Sequence, residues 1–190
     1  MGFLIFEFFA TATQTSLTTL KDNSSLLIKS KLPRELFILS RVLTAFVNFL
    51  LGCIPFAAVL AWYRAAVTIY YFMIPVVLLL LLIFTTGMSY LVSIWFVFQR
   101  DARNIYSNFI FILRFFVAMF YSVDWVADGV KWVIQHNPLY AYIYVMRQCV
   151  VYGRMPEGMY ITQMFAWAIG MFGFGILVFK KYENEVVERL

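Results

Sequence analysis

"AAVTIYYFMIPVVLLLLLIFTTGMSYLVSIWFVF", residues 65–98, contains no formal charge. About 20 predominantly apolar residues suffice for a helix to cross the hydrocarbon core of a bilayer. Residues 42–63 and 160–179 are likewise uncharged. Lipid offers no hydrogen bonds to a bare backbone, so such stretches must be helices or strands of a closed barrel. Barrel strands alternate apolar and polar residues, and these runs do not. The composition of the 190 residues agrees: 63% are hydrophobic, 20% aromatic and only 13% charged, where soluble domains carry about 25% charged residues. The sequence therefore predicts an all-α, polytopic helical membrane protein.

Working outward from that run, five spans are expected: 2–20, 42–63, 72–98, 105–123 and 160–179. The first is the weakest. It opens "GFLIFEFFA" and continues "TATQTSLTTL", so its second half must face protein or a water-lined space. Residues 1–190 read as one transmembrane domain, with a basic loop at 21–41, a polar break at 99–104, a mixed region at 124–158 and a charged tail at 180–190. Within the mixed region Pro138 disfavours helix at Asn137. Two short helices dipping in from one face fit better there than a further span, and irregular backbone at that depth needs protein or water around it.

Orientation follows from the Lys and Arg residues near the span ends. Placing residues 21–41 in the cytoplasm puts ten on that side and four on the other, with Arg114 inside the membrane. The N-terminus is then outside and the C-terminus cytoplasmic. The net charge of +5 is read as topology and attraction to lipid headgroups, not as a nucleic-acid footprint.

Chemistry-bearing patterns are scarce. No G-x-x-x-x-G-K-[ST] phosphate loop occurs, so nucleotide hydrolysis must come from a partner. His136 is the only histidine and reads as a loop residue beside Asn137. Cys53 and Cys149 lie far apart and suggest neither a disulfide framework nor a zinc site. Catalytic residues and metal ligands: none expected. Arg114 needs an explanation, because a cation within a span is costly and must face protein or water. One reading pairs it with Glu7. The other borders a translocation path with it, where it attracts an anionic group such as a lipid pyrophosphate. Ser107, Arg114, Ala118 and Tyr121 would share one helix face. Thr86, Ser89 and Ser93 mark a second polar face, and Ala166, Gly170 and Gly173 offer a close-packing face. Tyrosines and tryptophans near the outer ends read as an interfacial belt, although aromatic faces also stack on sugar rings.

The loop "KDNSSLLIKSKLPRELFILSR", residues 21–41, holds five of the 15 Lys and Arg residues. Asp22, Asn23, Ser24 or Ser25 can cap a short helix. Leu26, Leu27 and Ile28 give it an apolar patch, and Pro33 ends it while suiting the first turn of the next helix. Such a loop either anchors to anionic headgroups or docks an apolar patch into a cytoplasmic partner.

"DNSSLLIKSKLPRELFILSRVLTAFVNFLL", residues 22–51, resembles the second-to-third helix region of ABC-2 type transporter permeases, in the subgroup that exports teichoic acids and O-antigens. That subgroup reads approximately Asn-x-x-Leu-Ile-x-Lys-x-x-Phe-Pro-Arg-Glu-Ile-x-Pro-x-Ser. Asn23, Leu26, Lys29, Pro33, Arg34, Glu35 and Ser40 match, with Leu32 where Phe is common and Ile38 where a second proline is common. "FVFQRDARNI" resembles the family's Arg-Asp turn through Arg100 and Asp101. "HNPLYAYIYVMRQCVVYG" resembles its Asn-Pro-Leu…Arg…Gly signature through Asn137, Pro138, Leu139, Arg147 and Gly153. "RFFVAMFYSVDWV" lacks the family's Ser-Pro and later proline, which leaves the kink at that position open.

The resemblance covers essentially the whole chain in order. It implies a six-span fold of which five spans are present, the chain beginning within the second. Outer re-entrant helices would precede the last span, and the protein would lie in the bacterial plasma (inner) membrane with its C-terminus cytoplasmic. Asn23, Leu26, Lys29, Leu32, Pro33, Arg34 and Glu35 would form a coupling helix in a cleft of an ATPase subunit. Arg114, Tyr121, Asn137, Pro138 and Arg147 would lie at the translocation path or gate. The implied partners are an ABC ATPase, a second permease copy, membrane lipids and a lipid-linked polysaccharide or polyol phosphate polymer. ATP and magnesium would be held by the ATPase, with no cofactor on this chain. An ABC-2 exporter of drugs or lipids, and a membrane enzyme or scaffold acting on lipid-linked intermediates, are the alternatives.

Overall fold

A computed structural model describes residues 1–29, 33–62, 68–99, 101–119, 121 and 123–189, with the side chains of 28, 29, 124, 184 and 187–189 outside that description. The described residues form helices and no strand: α1 (Gly2–Asp22), α2 (Ser24–Lys29), α3 (Glu35–Trp62), α4 (Met73–Phe98), α5 (Ala102–Leu113), α6 (Asp128–Gln135), α7 (Pro138–Arg147) and α8 (Gly158–Arg189). Among them, three helices are long and apolar enough to cross a membrane: Glu35–Trp62, Ile69–Phe98 and Gly158–Glu183. The chain is a polytopic helical membrane protein.

The most apolar run becomes the most enclosed of the three membrane-length helices. α4 packs against α1, α3, α7 and α8, and Leu81, Phe84, Thr85 and Ser89 are buried along it. Its contact with α8 is the most extensive between described elements. A Cβ on Gly87 would fall 2.5 Å from the Met171 carbonyl oxygen, and one on Gly175 would run into the Gly87 backbone. Small residues allow helix backbones to approach in this way, gaining dispersion contacts where lipid supplies no hydrophobic drive. This corrects the close-packing face expected at Ala166, Gly170 and Gly173. Nothing lies within 4 Å of a Cβ at Gly170 or Gly173, and Ala166 is exposed. The polar face of Thr86, Ser89 and Ser93 is buried between helices.

α1 shows how a threonine-rich segment is accommodated. Thr13, Thr15 and Thr19 donate their hydroxyls to the carbonyls of Phe9, Thr11 and Thr15 at 2.7, 2.8 and 2.7 Å. These i−4 bonds satisfy the hydroxyls within the helix itself. Thr13, Ser16 and Thr19 turn inward, while Gln14 and Thr15 are exposed.

The expected fourth span is not one helix. α5 ends at Leu113, a 3₁₀ turn occupies Phe115–Val117, and Ala118 adopts φ 47° and ψ 47°. Left-handed backbone is uncommon for any residue but glycine. The chain thus bends without the proline that usually causes it. The face expected to link Ser107, Arg114, Ala118 and Tyr121 is interrupted for the same reason. The last helix also departs from expectation, running from Gly158 through the charged tail to Arg189.

Candidate functional site

Two regions gather the residues singled out in the sequence, one at each end of the bundle. At the first end the termini of α1, α3, α4 and α8 meet around α2. Leu20, Leu27, Ile38, Tyr90, Ile94, Phe179 and Val186 form a separate apolar cluster there. The Lys/Arg-rich stretches adjoin this end, and Lys21 Nζ lies 5.9 Å from the Phe96 ring centroid.

The described residues on either side of 30–32, namely 21–29 and 33–35, are held by local bonds that differ from the expected caps. Asn23 closes α1, its side-chain amide donating to the Thr19 carbonyl at 2.8 Å. Its own carbonyl accepts from the backbone N–H groups of Leu26 and Leu27 at 3.0 and 2.9 Å. One residue thus ends one helix and begins the next. Of the expected apolar patch, Leu27 faces inward at 5% exposure while Leu26 faces out at 55%. The Pro33 carbonyl accepts from Leu36 N–H, and Glu35 opens α3, where a carboxylate complements the helix dipole. Arg34 reaches across the fold: Nη1 donates to the Glu183 carbonyl of α8 at 2.7 Å. Leu32 and the side chain of Lys29 lie outside the described residues.

At the opposite end, Arg114, Tyr121, Asn137, Pro138 and Arg147 converge on the broken end of α5. Where a helix stops, carbonyls are left without i+4 partners. Three are supplied by these side chains. Tyr121 OH donates to the Phe115 carbonyl at 2.6 Å, Asn137 Nδ2 to that of Phe116 at 3.2 Å and Arg147 Nη2 to that of Ala118 at 3.2 Å. Asn137 does a second job, its Oδ1 accepting from Leu139 N–H at 3.0 Å as the N-cap of α7. Pro138 takes the first turn of that helix, where its missing N–H costs nothing. Arg114 Nη2 lies 3.6 Å from Glu7 Oε2, with its guanidinium 5.4 Å from the Phe6 ring centroid. His136 points its ring Nδ1 at the Trp132 carbonyl, 2.8 Å away, and both cysteines are free.

Some features of this end had no sequence signal. α7 runs into a π-helical turn, Gln148–Tyr152, ended by Gly153 at φ 57°. A side chain at Gly153 would meet Thr68 Oγ1 at 2.7 Å, so the glycine is required both by its conformation and by that close approach. Beside the turn lies a polar cavity of about 380 Å³ whose lining includes Tyr144, Arg147, Arg154 and Glu157. Tyr144 OH donates to Glu157 Oε1 at 2.9 Å. That bond, together with burial as the larger cause, pushes the Tyr144 phenol up to about 12. Only the Asn-Pro-Leu…Arg…Gly spacing pointed toward this region.

The model of the ABC-2 type transporter family matches residues 1–151 of this chain. The chain belongs to that family. Two curated proteins of Klebsiella pneumoniae, both called O-antigen export system permease protein RfbA, are each 25% identical to it. Each alignment takes in all 190 residues and 73% of the relative. An ABC-2 membership and export-permease relatives make the chain a transport permease, in keeping with its membrane-length helices.

Proposed function

We propose that this chain is the membrane subunit of an ABC exporter that moves a lipid-linked polysaccharide or polyol phosphate polymer outward across a bacterial plasma membrane. The observation that carries the reading is the similarity, over all 190 residues of this chain, to relatives named as O-antigen export permeases. Two permease copies would pair with two ATPase copies, which hold ATP and magnesium and perform the hydrolysis. The end bearing residues 21–41 and α8's C-terminus is cytoplasmic in this reading, following the excess of positive charge.

α1 and the segment from α5 to residue 123 supply the remaining two of five crossings. α1, at 21 residues, is roughly 30 Å long. Non-helical backbone at membrane depth is tolerated where protein satisfies it, and Tyr121, Asn137 and Arg147 do so after α5. α6 and α7 would be the outer re-entrant pair, with Arg114, Tyr121, Asn137, Pro138 and Arg147 at the gate.

Residues 23–35 serve as the coupling segment. Leu26 is the outward apolar contact, and Lys29, Leu32, Pro33 and Glu35 flank it. Arg34 ties the segment to α8 through Glu183. ATP-driven closure would push on α2 and thereby on both α3 and α8. Nucleotide shifts such an equilibrium only by binding one conformation better.

Deletion of the gene in its native host, with surface polysaccharide followed by gel and by mass spectrometry, tests the reading. The expected result is intracellular accumulation of undelivered lipid-linked polymer, reversed by the wild-type gene. Normal surface polymer in the deletion strain, under conditions where the gene is expressed, would overturn it.

A further inference from the structure

The cavity beside the π-turn carries features that packing alone does not require. Its volume of about 380 Å³ falls in the range of small-molecule sites. Tyr140, Tyr144 and Tyr160 form its wall as a mutually packed cluster, the Tyr144 and Tyr160 rings only 4.1 Å apart and the Tyr140 ring 6.0 and 5.8 Å from them. Tyr152 stands at the rim, 57% exposed. Its place there depends on the π-helical turn, an irregularity that recurs at functional sites.

The charges in the cavity are unequal. Glu157 is engaged by Tyr144 OH, and Arg147 spends one Nη on the Ala118 carbonyl. Arg154 is different. Gly153 turns the chain back so that Arg154 N–H meets the Gln148 carbonyl at 3.1 Å, which brings the side chain into the lining. Among the described residues its guanidinium has no hydrogen bond or ion pair. A guanidinium matches the geometry of carboxylate or phosphate oxygens. Tyrosine faces suit the apolar C–H face of a pyranose.

We infer that this cavity binds a sugar ring bearing an anionic group, phosphate or carboxylate, with Arg154 and Arg147 on the charge and Tyr152 over the ring. The inference deepens the export reading by naming a class of exported unit, and rests on that reading for the ligand's source. Arg147 also grips the bend after α5, so an occupied cavity would be felt at the gate.

The full-length protein in lipid nanodiscs, titrated with glucose 1-phosphate and followed by ligand-observed NMR, tests the assignment. Glucose alone and inorganic phosphate alone form the comparison arms, and any co-purifying ATPase is scored on the same preparation. We expect glucose 1-phosphate to bind better than either part. Arg154→Gln should weaken it about tenfold, as for a lost charge-assisted bond. Tyr152→Ala should weaken the sugar-containing ligands but not phosphate, and Lys180→Gln, at the far end of α8, should change nothing. Failure of glucose 1-phosphate to bind, equal binding by a folded Arg154→Gln protein, or phosphate binding as tightly as the sugar phosphate would each overturn the assignment. Absence of an ATPase counts against the export reading instead, while the binding result still decides the site.

Discussion

At the residue scale, the bend after α5 is held by long side chains doing the work of missing helix bonds. Arg147→Ala removes the donor to the Ala118 carbonyl, and an unsatisfied buried acceptor costs about 1–3 kcal/mol. Asn137→Ala removes both the bond to Phe116 and the cap on α7, a cap alone being worth about 1 kcal/mol. Both variants should unfold at lower temperature in detergent, with Arg147→Lys rescuing less than a planar donor would. Unchanged melting would show that the bend is held by something else. Glu7 and Arg114 make a second test. In the five-crossing reading both lie within the membrane, where an unpaired charge is costly, so Glu7→Gln with Arg114→Gln should be no worse than either single change. Additive losses would mean that the two side chains act independently.

At the scale of elements, the α4–α8 contact is the one most sensitive to added atoms. Gly175→Ala forces a methyl into the Gly87 backbone, and overpacking of this kind costs about 1–3 kcal/mol or more. Gly170→Ala and Gly173→Ala meet open space in the single chain and should leave its stability unchanged or raise it by up to about 1 kcal/mol, as alanine favours the helix. Thermal unfolding of the three variants in one detergent separates these outcomes, and a sensitive Gly170 with a tolerant Gly175 would contradict the packing described.

Sequence reading could not rank these glycines, because all lie in the same apolar run. Which glycine faces α4 is set by the rotation of α8, a tertiary property. The long apolar helices were legible for the opposite reason: length and lack of charge decide them locally. The bend at Ala118 was not legible, since neither proline nor glycine marks it and two of its three side-chain partners come from more than 20 residues away, with |i−j| of 21 and 29. The short helix of residues 24–29 and the break at Asn137 were readable from cap-forming residues and Pro138. The inward turn of Leu27 and the reach of Arg34 to Glu183 depend on α8 and were not.

At the scale of the whole molecule, one end collects the basic loop, the C-terminal helix and the α2 segment around a small apolar cluster. The other end collects the bend, the short helices and the polar cavity. In the export reading, force enters at the first end and substrate leaves at the second, with α4 and α8 as the packed shaft between them. The claim on which this rests is that residues 23–35 engage an ATPase. Arg34 is a poor probe of it, because its change would also break the bond to α8. Leu26 is better, being exposed and free of the internal cluster. The decisive measurement is quantitative co-purification of a Walker-motif ATPase with the protein tagged after Leu190, comparing wild type with Leu26→Glu at equal fold and expression. The account predicts an ATPase bound to the wild type and lost from Leu26→Glu; an ATPase absent from the wild type in native membranes, or retained undiminished by the variant, would contradict it.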